Sequence, residues 1–154
     1  LVMRSLSKTF AMTGWRIGYV IAPKEVASGM VKIKGQLNGN VHTYGQLGAA
    51  KVFELDREIL EERLLDVDRK RRFITRELEG LYDFVVPQGA FYFWSKVPES
   101  MGSDLEFASF LLEKKQMGVV PGTAFGKPGF FRMSYAVPYE RLEKGVALLK
   151  EILQ

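Results

Sequence analysis

The sequence predicts a mixed α/β fold that becomes α+β in its latter half, on three observations. Short runs rich in β-branched and aromatic residues alternate with longer segments of helical periodicity. A charged segment near the middle carries a single apolar stripe. The elements beyond it follow the order β, α, β, β, α, which suits helices packed on one small sheet.

Trp15 to Ala22 reads as a strand, because apolar, aromatic and β-branched residues dominate it. A helix follows: Pro23 suits a first-turn position, and Val26, Met30, Ile33 and Leu37 recur at helical spacing until Asn38-Gly39-Asn40 breaks the pattern. A second helix is expected from about Tyr44 through Phe53. Between Asp56 and Glu79, Leu60, Leu64, Val67, Ile74 and Leu78 trace one face of a long helix that Gly80 can end. Phe84 to Val86 and Ala90 to Val97 read as strands around the turn-forming Pro87-Gln88-Gly89. Ser103-Asp104-Leu105-Glu106 is a capping box, opening a helix that buries Phe107, Phe110 and Leu111. Strands are expected at Gly118 to Val120 and Phe130 to Ala136. A last helix then places Leu142, Val146, Leu149 and Leu153 on one face. There is no internal repeat or low-complexity segment.

At 154 residues, 47% hydrophobic and 26% charged, the chain can bury a core of its own. It fits one domain, or a small domain with a piece of a neighbour. The absence of cysteine excludes disulfides, thiolate catalysis and cysteine-ligated metals. With a single histidine, His42, expected in a loop, a histidine-based metal cluster is also excluded, so no metal is expected. No segment reads as a signal peptide or membrane span, and a cytoplasmic protein without a membrane partner is expected. Leu1 opens directly into a motif where a native chain would begin with Met, so truncation is expected. The net charge of +4 raises nucleic acid as a partner, most of all at Arg69-Lys70-Arg71-Arg72. Because Asp66, Asp68, Glu77 and Glu79 surround that run, it reads as a solvated, salt-bridged helix face instead. Gly122, Gly126 and Lys127 do not make a phosphate loop, since Pro121 and Pro128 occupy required positions.

Lys8 in isolation reads as a solvated surface lysine. Its surroundings argue otherwise: Ser5, Ser7, Thr9 and Thr13 flank it, and Arg16 and Gly18 follow. A lysine whose pKa falls readily can attack an aldehyde, and an arginine with neighbouring hydroxyls can hold a phosphate dianion. The whole run from Ser5 to Gly18, Ser-Leu-Ser-Lys-Thr-Phe-Ala-Met-Thr-Gly-Trp-Arg-Ile-Gly, resembles the cofactor-attachment segment of class I/II aminotransferases. That resemblance implies Lys8 as the lysine that carries pyridoxal 5'-phosphate (PLP) as a Schiff base, with Ser5 and Arg16 as phosphate ligands.

A second segment, Val119-Val120-Pro121-Gly122-Thr123-Ala124-Phe125-Gly126 followed by Phe131-Arg132-Met133-Ser134-Tyr135-Ala136, is similar to the C-terminal segment of the same family. There the arginine, here Arg132, binds the substrate α-carboxylate. On physical grounds an arginine among strand-forming apolar residues needs a carboxylate, and an internal Asp or Glu would serve as well as a substrate. Pro87 to Tyr92 resembles the family strand near the pocket, with Phe91 read as core rather than substrate wall. The aromatics Phe91 to Trp94 read as alternating strand residues. Lys34 and Gln36 lie where some relatives place residues that recognise the substrate side chain.

The resemblance covers essentially the whole chain and implies its organisation. Residues 1–55 correspond to the end of a large PLP-binding domain, 56–80 to a connecting helix, and 81–154 to the small C-terminal domain. It implies amino-group transfer between an amino acid and a 2-oxo acid in a homodimer. It also implies a missing N-terminal portion, which carries the Asp on the pyridine nitrogen, an aromatic ring stacked on the cofactor, and an Asn and a Tyr near the phenolic oxygen. The fragment alone is therefore expected to be inactive. Three other readings stay open: a related PLP lyase or synthase, the aminotransferase-like sensor domain of a transcription regulator, and a cofactor-free structural fragment.

Overall fold

In the computed structural model, which describes residues 1–153, the chain opens with a pair of antiparallel strands, β1 (Val2–Ser5) and β2 (Gly18–Ile21). Between them lies a folded excursion that includes a single helical turn, α1 (Leu6–Thr9). Two helices follow, α2 (Lys24–Leu37) and α3 (Thr43–Lys51), and then the long α4 (Arg57–Leu78). Beyond it come β3 (Tyr92–Lys96), α5 (Asp104–Lys115), the short β4 (Val120–Pro121), β5 (Phe130–Ser134) and α6 (Tyr139–Glu151). The expected mixed α/β class and the β, α, β, β, α order of the latter half are both observed. The chain divides into two units, one from Leu1 to Ile59 and the other from Leu60 onward.

The first unit buries little. Leu6, Met12, Ile17 and Ala49 form its core, with Phe10, Val41 and Val52 packed against it. Every residue of both strands is exposed, and α2 has no buried residue although Val31 and Ile33 are 70% and 62% exposed. An apolar groove of about 940 Å³ lies between the strands and α2, lined in part by Met3, Val20, Met30 and Leu37.

In the second unit, β5 is the central strand of a three-stranded antiparallel sheet ordered β3-β5-β4. Strand alternation gives this sheet two unlike faces. Phe93, Ser95, Phe131 and Met133 turn inward and are buried; Tyr92, Trp94, Phe130 and Arg132 share the other face and are half-buried. Ile74 and Leu78 of α4, Phe107 and Leu111 of α5, and Leu142, Val146 and Leu149 of α6 close over the inward face. The Lys150–Glu77 ion pair at 2.6 Å ties α6 to α4. The buried Tyr82 hydroxyl donates to the Leu149 carbonyl at 2.8 Å, and burial pushes its pKa up from the ordinary tyrosine value.

Three expectations need correction. The strand expected from Trp15 begins only at Gly18, because Thr13–Trp15 forms a 3₁₀ turn and Arg16 adopts a left-handed conformation (φ 55°). The strand expected at Phe84 to Val86 is reduced to one antiparallel bridge, Phe84 with Ser95. Pro87 has no N–H to continue a ladder. The basic run on α4 is not uniformly solvated. Arg71 and Arg72 share Asp68 as expected, but Lys70 is buried, with its amine 2.5 Å from Asp66. The two arginines, Arg71 foremost, hold the Asp68 carboxyl below the usual carboxylate range.

Phe107 is wholly buried, with its ring edge-on to Phe131 at 5.0 Å between centroids. Phe107→Ala should therefore destabilise the second unit by about 3–5 kcal/mol. In a urea titration the folding signals of the second unit should move to lower denaturant.

Candidate active site

The excursion between β1 and β2 is closed at its base by the Ser5–Gly18 pairing and by the Leu6 N–H bond to the Ile17 carbonyl at 3.1 Å. Gly18 is required there, since a Cβ would lie 2.7 Å from the Arg4 carbonyl oxygen on the opposite strand. Ser5 caps α1, its hydroxyl oxygen accepting the Ser7 N–H at 3.2 Å. Lys8 is exposed in the same turn. Arg16 lies one residue before the Ile17 bond, and its guanidinium donates to the Thr13 carbonyl at 3.1 Å. Ala11 and Arg16 both hold positive φ (54° and 55°), a conformation that non-glycine residues adopt at a cost. Ser5, Lys8 and Arg16 thus share one short excursion, its shape set by backbone bonds at its base.

His42 anchors this excursion from outside. Its Nδ1 accepts the Gly45 N–H at 3.0 Å and caps α3, which leaves the proton on Nε2 to donate to the Trp15 carbonyl at 3.3 Å. The loop histidine expected from sequence is therefore a helix cap that holds the turn before Arg16. The Lys34 amine donates to the Gly39 carbonyl at 2.5 Å, beyond the end of α2.

Arg132 belongs to the second unit, at the centre of β5, opposite Trp94 of β3 and Val120 of β4. Its guanidinium carbon lies 4.2 Å from the ring centroid of Tyr92 and 4.3 Å from that of Phe125. Among the described residues no carboxylate pairs with it, and its Nε is buried without a hydrogen-bond partner. The internal salt bridge that sequence left open is not formed among the described residues. Trp94 extends the aromatic surround, edge-on to Phe125 at 5.6 Å and stacked on Phe130 at 5.5 Å. Phe91 packs against the core, as expected.

Phe125 sits in the turn Gly122–Phe125 that follows β4. Gly122 is obligatory there because a Cβ would come within 2.2 Å of the Lys127 carbonyl oxygen. The turn is held by Asp104, the first residue of α5, which is only 3% exposed. One carboxylate oxygen accepts the Thr123 N–H at 2.7 Å and the other the Gly129 N–H at 3.2 Å. The Thr123 bond, foremost, holds this carboxyl below the usual carboxylate range against the opposing effect of burial. The Ser103–Glu106 capping box forms as expected beside it. Sequence reasoning missed Tyr92 and Phe125 as the rings around Arg132; the strand alternation carried a signal for Tyr92 alone.

An exposed amine, a hydroxyl and a guanidinium on one excursion can engage a phosphorylated aldehyde. An arginine with an unmet donor can bind a carboxylate. Residues 1–149 match the family model described as aminotransferase class I and II. The chain is 39% identical to a probable aspartate/prephenate aminotransferase of Aquifex aeolicus over 159 residues, which cover 99% of the chain and 40% of that protein. The crystal structure of an aspartate aminotransferase from Thermotoga maritima superposes with a TM-score of 0.90 at 36% identity, covering 98% of this chain and 39% of that one. An aromatic aminotransferase from Pyrococcus horikoshii superposes with a TM-score of 0.88, also at 36% identity, covering 98% and 42%. The chain thus spans about 40% of the length of the curated relatives it matches. By the extent of the family match, this chain belongs to the class I and II aminotransferases.

Proposed function

We propose that this chain is the C-terminal portion of a PLP-dependent aminotransferase, a cytoplasmic homodimer that transfers an amino group from an amino acid to a 2-oxo acid. The observation that carries the reading is the pairing of two separate features in one sequence. One is the Ser5–Gly18 excursion with its amine, hydroxyl and guanidinium, and the other is an arginine with a buried donor that no described residue satisfies. The thin core of the first unit and its exposed apolar strands support a larger domain in the complete protein.

The donor set suits PLP. Ser5 accepts a bond from Ser7 and so keeps its own hydroxyl hydrogen to donate. Arg16 commits one nitrogen to Thr13, leaving further N–H groups of its fork for a phosphate. When bound, PLP supplies the electron sink that acidifies the α-carbon of an amino acid. The amine of Lys8 would hold PLP through its aldehyde group, and the same amine would serve as the general base for the proton on the substrate α-carbon. Arg132 orients the substrate through its carboxylate, and the surrounding rings restrict the guanidinium's motion and exclude water from it. The sites are proposed as Lys8 catalytic, Ser5, Lys8 and Arg16 cofactor-binding, and Arg132 substrate-binding.

Borohydride reduction of the complete PLP-loaded protein, followed by peptide mapping, should leave the pyridoxyl group on Lys8; its recovery on another lysine would refute the assignment. Arg132 is tested by Arg132→Lys, which keeps the charge but loses the planar fork. The variant should lower kcat/KM for amino acids by about 10²-fold or more, or roughly 2.7 kcal/mol of transition-state stabilisation. The corresponding amine without a carboxylate should be nearly unaffected. Equal losses on both substrates would make Arg132 a structural residue.

A further inference from the structure

We propose that Asp104 is a positioning residue for substrate carboxylate binding, which it serves by fixing the turn that carries Phe125 against the Arg132 guanidinium. The inference rests on the reading of Arg132 as the carboxylate-binding residue and adds a group that does not itself touch substrate.

Three observations carry it. First, Asp104 is almost completely buried, yet its two carboxylate oxygens are directed at backbone donors far along the chain, Thr123 and Gly129. Those donors bracket the segment that follows β4, so a single side chain pins both of its ends. Second, the segment's own backbone bonds close only its first part, the 3₁₀ turn Gly122–Phe125, through Gly126 N–H to the Thr123 carbonyl at 3.0 Å and Lys127 N–H to the Gly122 carbonyl at 3.0 Å, while Asp104 joins that turn to Gly129 beyond it. Third, Phe125 projects from between the pinned points, 47% exposed and in contact with both Arg132 and Trp94. A ring that exposed has little packing to hold it, so its place over the guanidinium depends on the backbone beneath it. A charged acceptor bonded to two N–H groups is stronger than a neutral one, and none of its bonds is to a cation that could compete for it.

Asp104→Asn keeps the shape of the side chain but replaces one acceptor oxygen with a donor, so that one of the two backbone bonds is lost. In the complete enzyme this variant should raise KM for an amino-acid substrate about tenfold while lowering kcat by no more than about threefold. It should leave kcat/KM for the decarboxylated amine unchanged. Amide hydrogen exchange at Thr123 and Gly129 should accelerate, with the interior of α5 still protected. Equal losses on amino acid and amine would overturn the proposal, and so would an unchanged KM despite faster exchange at the two amides. Should Asp104→Asn fail to fold, Phe125→Leu removes the ring while leaving both Asp104 bonds in place. It should reproduce the selective rise in KM, and an unchanged KM would overturn the proposal. Arg132→Lys, measured in parallel, separates the two levels of the argument. If it is non-selective, the carboxylate reading itself fails; if it is selective beside an indifferent Asp104→Asn, only the positioning role fails.

Discussion

Packing of Phe131 against Phe93 and Phe107, with ring centroids 6.1 and 5.0 Å apart, decides which side of β5 faces the core of the second unit. Because side chains alternate along a strand, that choice turns Arg132 to the opposite face without any interaction of its own. Register then brings Trp94 and Val120 alongside, and Tyr92 falls on the same face two residues from Trp94. A one-residue slip would turn the guanidinium to the inward, apolar face. The hydrophobic core of this unit is therefore also what orients the unmet donor of Arg132.

The first unit solves a different problem, holding polar groups on a segment that has little core beneath it. It relies on backbone bonds: a short antiparallel pair, the Leu6–Ile17 closure, and a histidine cap that reaches across from α3. Within that frame Ala11 and Arg16 are kept in left-handed conformations costing on the order of 1–3 kcal/mol each. Such strain persists only where the surroundings over-determine the backbone. At Arg16 the consequence is chemical, because the left-handed turn reverses the chain just before β2 and sets the arginine beside the Ser5 end of the excursion.

What the sequence makes legible is local or periodic. The Ser103–Glu106 box, the inward row Leu142, Val146, Leu149 and the order of elements after α4 follow from spacing alone. The Ser5–Gly18 and Val119–Ala136 segments are legible by resemblance as a family signature. Tertiary effects are not. Lys70 lies in a charged run and is nevertheless turned inward, while Leu64, on the expected apolar stripe, is 68% exposed. Arg16 looks like part of a strand because composition does not report the sign of φ. Asp104 is legible only as a helix-start residue, whereas its oxygens bond residues 19 and 25 positions ahead.

On the proposed reading of Arg132 as the carboxylate-binding residue, its surroundings show how far a site is prepared before a ligand arrives. Two aromatic rings against a guanidinium contribute roughly 0.5–2 kcal/mol each. One buried donor without a partner costs about 1–3 kcal/mol. The two effects are of similar size, so the arginine stays in place while one of its hydrogen bonds remains unmade. The rings hold its position, but a ring face cannot offer Nε the in-line lone pair it lacks. A carboxylate can, since its two oxygens match Nε and a neighbouring Nη in one plane. The incoming ligand would then gain the missing bond without first ordering the side chain that makes it, which is the condition under which a single contact yields the most affinity and orientation.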